Sequence, residues 1–447
     1  MARKADGEMF VPEAEQPYKI PHNWRWARIG AVADLYTGNS INEKVKKQKY
    51  EGNPEGYLYI ATKDIGFDSV INYETNIRIP ERDSFKVAPA NTALLCVEGG
   101  SAGRKIGFVN QAVCFVNKLC AFRTSTVHSK YVFYFLQTHC FESQFLAKKH
   151  GLIGGVPIKA LSTSIIPIAP LAEQQRIVER IESLFTKLDA ARENAQAVVD
   201  GFELRKAAIL HRAFTGELTA QWREHNGISL DSWEKTTLSK VVGGFRYGTS
   251  EKSAYSYPGM PVLRIPNIGG DGIDFSDMKF LNSLEVESAN QVNENDILII
   301  RSNGSRDLVG KCALVPALSK PFAYASFLIK IVPSDRINPR FLLLYLNSAN
   351  ARAQMFFKAK SSAGIHNINS KELGAISISL PGLREQAKIT EIAEDMLSKE
   401  SQTVSAAQQV IDNIDAMKRA ILGRAFRGEL GTNDPSEAGA EFAVTVR

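Results

Sequence analysis

Gly99-Gly100-Ser101-Ala102-Gly103 satisfies G-x-S-x-G, the turn that lifts a serine nucleophile above a sheet in hydrolases. That chemistry needs an apolar strand before the serine and a helix directly after it. The apolar run is present, but Arg104-Lys105-Ile106-Gly107-Phe108-Val109 follows and reads as another strand. The corresponding place in the second half, Asn303-Gly304-Ser305-Arg306, lacks the motif. A hairpin turn is the stronger reading, with a serine hydrolase built on Ser101 kept as an alternative. Other catalytic signatures are missing. Asn53-Pro54 and Asn338-Pro339 do not open the Asn/Asp-Pro-Pro-aromatic loop that amino-directed methyl transfer needs. There is no G-x-x-x-x-G-K-[ST] to cradle ATP phosphates and no H-E-x-x-H. His139-Cys140 is an isolated pair, and a buried structural role outweighs a metal site. The sequence assigns no catalytic residue, no metal site and no cofactor to this chain.

What remains is chemistry suited to a polyanion. Lys44, Lys46, Lys47 and Lys49 follow a Thr-Gly-Asn-Ser turn without an apolar period, as a solvated loop or as phosphate contacts. The equivalent loop of the second half holds Arg246, Tyr247, Thr249 and Lys252. Arg beside Tyr offers a bidentate guanine contact or stacking, and Tyr247 packed in the fold is the alternative. Two hairpin tips carry Ser101, Arg104 and Lys105, and Arg301, Asn303, Ser305 and Arg306. Loops after the two domain helices carry Lys148, Lys149 and His150, and Lys360, Ser361 and His366.

Charge supports the same division. The net charge is +6, and residues 21–169 hold 18 Lys/Arg against 11 Asp/Glu, residues 228–380 hold 17 against 13. Residues 170–219 and 381–430 each hold 7 against 8, so the positive excess sits in two blocks. The five cysteines form no C-x-x-C pair, which fits a reducing compartment better than a disulfide framework. No apolar leader opens the chain and no run reaches the ~18 apolar residues of a membrane span. A cytoplasmic protein of two or more domains is expected for 447 residues.

The elements that must carry these loops are written twice. Ala208–Leu218, AILHRAFTGEL, returns 212 residues later as AILGRAFRGEL, with nine of eleven positions identical. The match extends backward: Glu173, Gln174 and Ile177 fall on Glu385, Gln386 and Ile389, each segment following a proline, Pro170 or Pro381. Gly216 and Gly428 stand where helix C-caps belong. Between these ends the apolar spacing is close to 3.5, with Val178, Ile181, Phe185 and Ala195 in one seam and Ala393, Leu397, Ile411 and Ile414 in the other. Arg192, Lys206, Glu400 and Lys418 intrude as polar residues. About 40 residues at 1.5 Å each make a helix of roughly 60 Å. The blocks before the helices echo one another as short strands, Gly-rich turns, a helix near 130–146 or 339–358, and a last strand. The expected fold is α+β, a mixed α/β duplication with two globules separated by two long antiparallel coiled-coil helices, related by a pseudo-two-fold axis.

Globule–helix–globule–helix order, LAEQQRIV and LREQAKIT opening the helices, and RAFTGEL and RAFRGEL closing them together resemble the specificity subunit of a type I restriction-modification system. The resemblance covers roughly residues 18–430. It implies two target recognition domains, residues 21–168 and 228–380, each reading half of a bipartite site in double-stranded DNA. Spacer helices at 169–219 and 381–430 would dock two methyltransferase subunits, and two restriction subunits would join them. S-adenosylmethionine and ATP with magnesium belong to those partners, and the chain itself is non-catalytic. Residues 1–20 and 431–447 are left as an N-terminal segment and a flexible tail. Arg212, Phe214, Glu217, Arg424, Phe426 and Glu429, at the helix ends, are candidates for partner docking. The duller reading packs both phenylalanines under the seam. A coiled-coil scaffold with two protein-binding globules is the other alternative.

Overall fold

Both halves build the same antiparallel sheet from the strands expected. In the computed structural model, which describes residues 10–149, 154–269, 272–358, 360–362 and 365–439, the first sheet runs Ala33–Thr37, Leu119–Thr124, Thr92–Cys96, Ile106–Val109. The second runs Val242–Tyr247, Leu328–Pro333, Ile297–Ile300, Cys312–Leu314. Thr92–Cys96 and Ile297–Ile300 are central and wholly buried, which is why they read as unbroken apolar runs rather than alternating ones. A second four-stranded sheet in each half contains one parallel pair, Tyr57–Ile60 with Val113–Phe115 and Pro261–Leu263 with Ala323–Tyr324. A two-stranded ribbon closes each half, Arg25–Arg28 with Ile165–Ile168 and Glu234–Thr237 with Ser377–Leu380.

Two glycines position the loops. A Cβ on Gly38 would lie 1.8 Å from the Phe115 carbonyl oxygen, and one on Gly248 would lie 2.1 Å from that of Tyr324. Only glycine lets the chain pass so close to the parallel pair before the polar loops begin. This is the physical content of the Thr-Gly-Asn-Ser and Tyr-Gly-Thr-Ser echo.

The chain divides into two units, Met1–Ala195 with Gln409–Arg447, and Gln196–Gln408. Each holds part of both long helices, Leu171–Asp200 continued by Phe202–Phe214, and Leu383–Ala425. In the first unit Lys418 pairs with Asp189 at 2.6 Å and Arg192 pairs with Asp415. In the second, Arg205 pairs with Glu400 at 2.6 Å. Numbers fall on one helix as they rise on the other, so the helices pack antiparallel. Three of the four polar intrusions are therefore cross-helix ion pairs, which fix register more than they stabilise at this exposure. The apolar seam residues are buried or half-buried throughout.

Three expectations need correction. The first long helix is interrupted at Gly201, where Arg205 Nη2 donates to the Val198 carbonyl at 2.8 Å, an acceptor a continuous helix offers to the amide of residue 202. Each domain helix is two, Ser129–Phe135 with His139–Lys148 and Pro339–Leu346 with Ala349–Lys358. Hydroxyls restart them: Thr138 accepts from the Phe141 amide and Ser348 from the Ala351 amide. His139 is consequently exposed in a first turn beside Glu142, rather than buried. Finally, residues 432–437 are held to the first unit, since Arg176 grips Glu437 with two 2.8 Å bonds and Asn433 donates to Glu173. Residues 440–447 lie outside the described part. Among the described residues no helix is long and apolar enough to cross a membrane.

Candidate nucleic-acid interface

In the first unit the lysine run is a short helical turn, not an open loop. Asn42 accepts from the Lys44 amide at 2.9 Å and caps Glu43–Val45, after which Lys46–Tyr50 forms a wide turn. Lys46 lies 3.6 Å from Glu43, and Lys49 pairs with Asp83 at 2.8 Å. Lys44 and Lys47 stand exposed. Lys46 and Lys47 line a cleft of about 170 Å³ with Lys63, Glu43, Asp64 and Glu74, whose mixed charge is a poor match for a phosphate alone.

The Ser101 tip joins two antiparallel strands, Thr92–Cys96 and Ile106–Val109. A strand, not a helix, follows the serine, so the nucleophile-elbow geometry is missing. Arg104 Nη2 donates to the Gly100 carbonyl at 2.6 Å, and Lys105 Nζ to the Thr62 carbonyl at 3.1 Å. Both cations lie over the Phe67 ring, 5.3 and 5.1 Å from its centroid. Phe67 is 65% exposed, and sequence reasoning missed it. Its signal was a lone aromatic between Gly66 and Asp68, in a turn that needs no apolar residue. Lys148 and Lys149 are half-buried at the end of the second domain helix. Burial holds the Lys148 ammonium below the ordinary lysine value, and the charge of Arg28 adds to this. His150 lies outside the described residues.

The second unit assembles its candidates differently. Ser302–Asn303 pairs with Ile365–Asn367, which pairs with Lys360–Ser362, a three-stranded sheet with no counterpart among the described residues of the first unit. It sets Asn303 opposite His366, and His366 opposite Ser361, along the backbone ladder. Arg301 lies over the Tyr247 ring at 4.8 Å. The Tyr247 hydroxyl accepts from the Ser370 amide at 3.0 Å. Arg246, which the sequence set beside Tyr247, instead points exposed and donates to its neighbour's carbonyl, Phe245, at 3.2 Å. Thr249 Oγ1 accepts from the Glu251 amide, and Lys252 is exposed. Asn303 Oδ1 accepts from the Ser305 amide and shapes the tip. Arg306 lies 5.2 Å over Phe356, whose ring Arg352 also faces at 4.9 Å.

At the helix ends the duplicated residues acquire distinct jobs. Glu173 is buried and accepts from Trp24 Nε1 at 2.7 Å and Asn433 Nδ2 at 2.9 Å. Glu385 is buried and accepts from Trp233 Nε1 at 2.9 Å, Thr219 Oγ1 at 2.7 Å and Arg223 Nη1 at 2.7 Å. Gln174 accepts from the His128 amide and Gln386 from the Asn338 amide, which ties each long helix to the N-cap of a domain helix. Phe426 is fully buried against Tyr131 and Phe135. Phe214 is half-buried against Phe341 and Tyr345. Arg212, Glu217, Arg424 and Glu429 are exposed.

The two units thus repeat one α+β domain with basic, divergent loops, each tied to the long paired helices. Residues 21–198 and 231–410 both match the type I restriction modification DNA specificity domain. The chain belongs to that family and is the DNA specificity subunit of a type I restriction-modification system, with two target recognition domains. The family is non-catalytic, and catalysis resides in the modification and restriction subunits of the complex. Among its relatives, the type I restriction enzyme EcoKI specificity subunit of Escherichia coli K12 is 24% identical over 426 residues, covering 92% of this chain and 90% of that one. The fold is similar to the crystal structure of the HsdS subunit from Thermoanaerobacter tengcongensis, with a TM-score of 0.65 and 20% identity over 93% of this chain and all of that one. A chain from a structure on complex assembly and conformational transition of the type I R-M system gives 0.67 and 20%, over 92% of this chain and 100% of that one. The scaffold and hydrolase readings give way to this one.

Proposed function

We propose that residues 21–168 and 228–380 each read one half of a split site in double-stranded DNA. The long helices set the spacing between the half-sites, so the bases between them go unread. A spacing of about one helical turn, ~34 Å, suits two readers on one face of a duplex. Two modification subunits dock on the helices and two restriction subunits join them. S-adenosylmethionine and ATP with magnesium are bound by those partners, and the complex acts in the cytoplasm.

One observation carries the two-reader reading: the framework is repeated while the loops it positions are not. Gly38 and Gly248 make the same close approach, but the loops beyond them carry different side chains, and among the described residues only one unit has the three-stranded sheet. Repeated scaffolds with different tips suit two different base sequences. Phosphate contacts from residues such as Lys44, Lys47 and Lys252 position each domain, and side chains at the tips read base edges. At the helix ends, docking falls to Arg212, Glu217, Arg424 and Glu429, because Phe426 has no surface to offer.

The test is a block exchange. Residues 228–380 are replaced by the equivalent block of a relative, the hybrid is expressed with its modification subunit, and methylated sites are mapped across the host genome. One half-site is expected to change and the other to stay. A change in both halves, or in neither, would refute the two-reader assignment.

A further inference from the structure

Three positions that touch in the second unit all differ from their counterparts in the first. The tip hairpins share a frame that fixes the correspondence. Gly103 donates its amide to the Cys96 carbonyl and Gly310 to that of Ile300, both at 2.8 Å, and both glycines have positive φ, 78° and 83°. The Val156 amide donates to the Val97 carbonyl at 3.0 Å, as the Ile368 amide does to the Arg301 carbonyl at 2.9 Å. Arg301 therefore stands where the first unit has Val97. Gly38 and Gly248 put Tyr247 where the first unit has Thr37. Ser370, first in its short helix after Ile368, stands where the first unit has Ile158. An apolar, buried Val97 and its neighbours are thus exchanged, as a set, for a stacked Arg–Tyr–Ser unit at the mouth of the tip.

The stack is not needed to hold the frame, since the first unit keeps the same backbone bonds without it. It instead presents a charged plane. The Arg301 guanidinium lies 4.8 Å over Tyr247, whose hydroxyl is tied to Ser370 at 3.0 Å. Tyr247 is 41% exposed. Arg301 has five N–H donors: Nη1 makes a 3.3 Å bond to the Ser326 carbonyl, and Nε is buried without a hydrogen-bond partner among the described residues, so the donors in reserve are those of the two terminal nitrogens. A guanidinium held flat with donors in reserve has already lost the rotamer freedom that a bidentate contact requires it to lose. Two acceptors side by side on one base edge, O6 and N7 of guanine in the major groove, match that fork.

We propose that Arg301, ordered by Tyr247 and Ser370, reads a guanine in the half-site recognised by residues 228–380. This rests on the two-reader function above. A phosphate contact uses the charge but not the plane, which separates the two roles. The test uses the full chain with its modification subunit, and genome-wide methylation as the readout, for wild type, Arg301→Lys, Arg301→Ala and Tyr247→Thr. Arg301→Lys keeps the charge and most of the stem, so it remains informative even where Arg301→Ala fails to fold. In Arg301→Lys one G·C position of that half-site is expected to lose discrimination by roughly 5- to 150-fold, with the other half-site unchanged. Tyr247→Thr is expected to weaken discrimination at the same position. Uniform loss over all sites with the motif intact would make Arg301 a phosphate contact and overturn the proposal, as would relaxation at an A·T position or an unchanged motif. A wild-type complex that methylates no split site would instead overturn the two-reader function itself.

Discussion

Glu173 and Glu385 occupy the same place in the duplication, and each holds the indole of the tryptophan just before the strand that opens its domain. Their remaining partners differ. Glu173 meets an amide and a hydroxyl, Asn433 and Thr432, whereas Glu385 meets a guanidinium and a hydroxyl, Arg223 and Thr219. Both sets come from the few residues after a Gly-Glu-Leu helix end. The repeated part of the clamp is therefore acid, indole and a threonine hydroxyl, and the closing segment adds an amide in one unit and a guanidinium in the other. The pair Arg223–Glu385 is 9% and 3% exposed, so removing one partner leaves a charge in the interior. Arg223→Ala is expected to cost about 3–5 kcal/mol, the typical loss when a buried pair is broken. Urea unfolding of the purified chain, followed by tryptophan fluorescence, measures it. A cost below about 1 kcal/mol would mean that the pair only decorates the clamp.

The two phenylalanines of the repeated ends sharpen the comparison next. Phe426 packs edge-on to Tyr131 and Phe135 in the core of the first unit, with no exposed surface. Phe426→Ala is expected to cost about 3 kcal/mol, through lost burial and the cavity left behind. Phe214 keeps part of its surface in solvent beside Phe341 and Tyr345, so Phe214→Ala is expected to cost about half as much. Equal losses in thermal melts would contradict the difference in burial. The duplicated sequence offered no way to tell these residues apart, because Arg-Ala-Phe reads identically in both copies.

That limit is general in this chain. The strands, the antiparallel long helices and the duplication were legible because apolar period and repetition are local properties of the string. The Glu-Gln pairs were visible as matches, but their jobs were not, since Glu173 finds Trp24 and Asn433 from opposite ends of the chain. The candidate interface residues were legible as a set of turns, and not in the contacts they make with one another. Arg246 was the arginine next to Tyr247 in sequence, while Arg301, 54 positions further on, is the one stacked on it. Phe67 went unnoticed because nothing in its own turn points to Arg104 and Lys105. The break at Gly201 was missed because an isolated glycine is tolerated in a helix, and nothing in the string shows that Arg205 bonds the Val198 carbonyl there.

Charge state provides a smaller test of the two clamps. Burial raises the Glu173 carboxyl above its ordinary value of 4.5, with the bonds from Trp24 and Asn433 pulling the other way. The folded state thus holds this proton more tightly than the unfolded one. As pH rises through the unfolded carboxylate value, the unfolded chain releases its proton first, and stability falls until pH passes the folded value. Glu173→Gln removes that slope and keeps an acceptor for the Trp24 indole. The variant is expected to change stability by about 1 kcal/mol or less near neutrality. Its unfolding midpoint is expected to decline less than that of wild type as pH rises from 4 toward 7. An identical decline in both proteins would show that Glu173 does not titrate with folding.

The smallest effect belongs to the contrast between the interrupted first helix and the continuous second. Gly201 has φ −77° and ψ −5°, a conformation open to any residue. A Cβ there would meet Arg205 Nη1 at 2.5 Å and the Ala197 carbonyl oxygen at 3.1 Å. The first contact is the far end of a flexible side chain that can swing away, and the second requires only a slight shift. Gly201→Ala lowers the entropy of the unfolded chain and favours helix, so a gain of about 0.5 kcal/mol is expected. The gain is limited because displacing Arg205 frees the Val198 carbonyl and loosens the bond to Glu400. Arg205→Lys keeps a charge for Glu400 but loses the fork that reaches both acceptors, so Gly201→Ala placed on Arg205→Lys is expected to gain more than on wild type. A double-mutant cycle in thermal unfolding reads the coupling directly. Strict additivity would mean that glycine alone, without the arginine, breaks the helix.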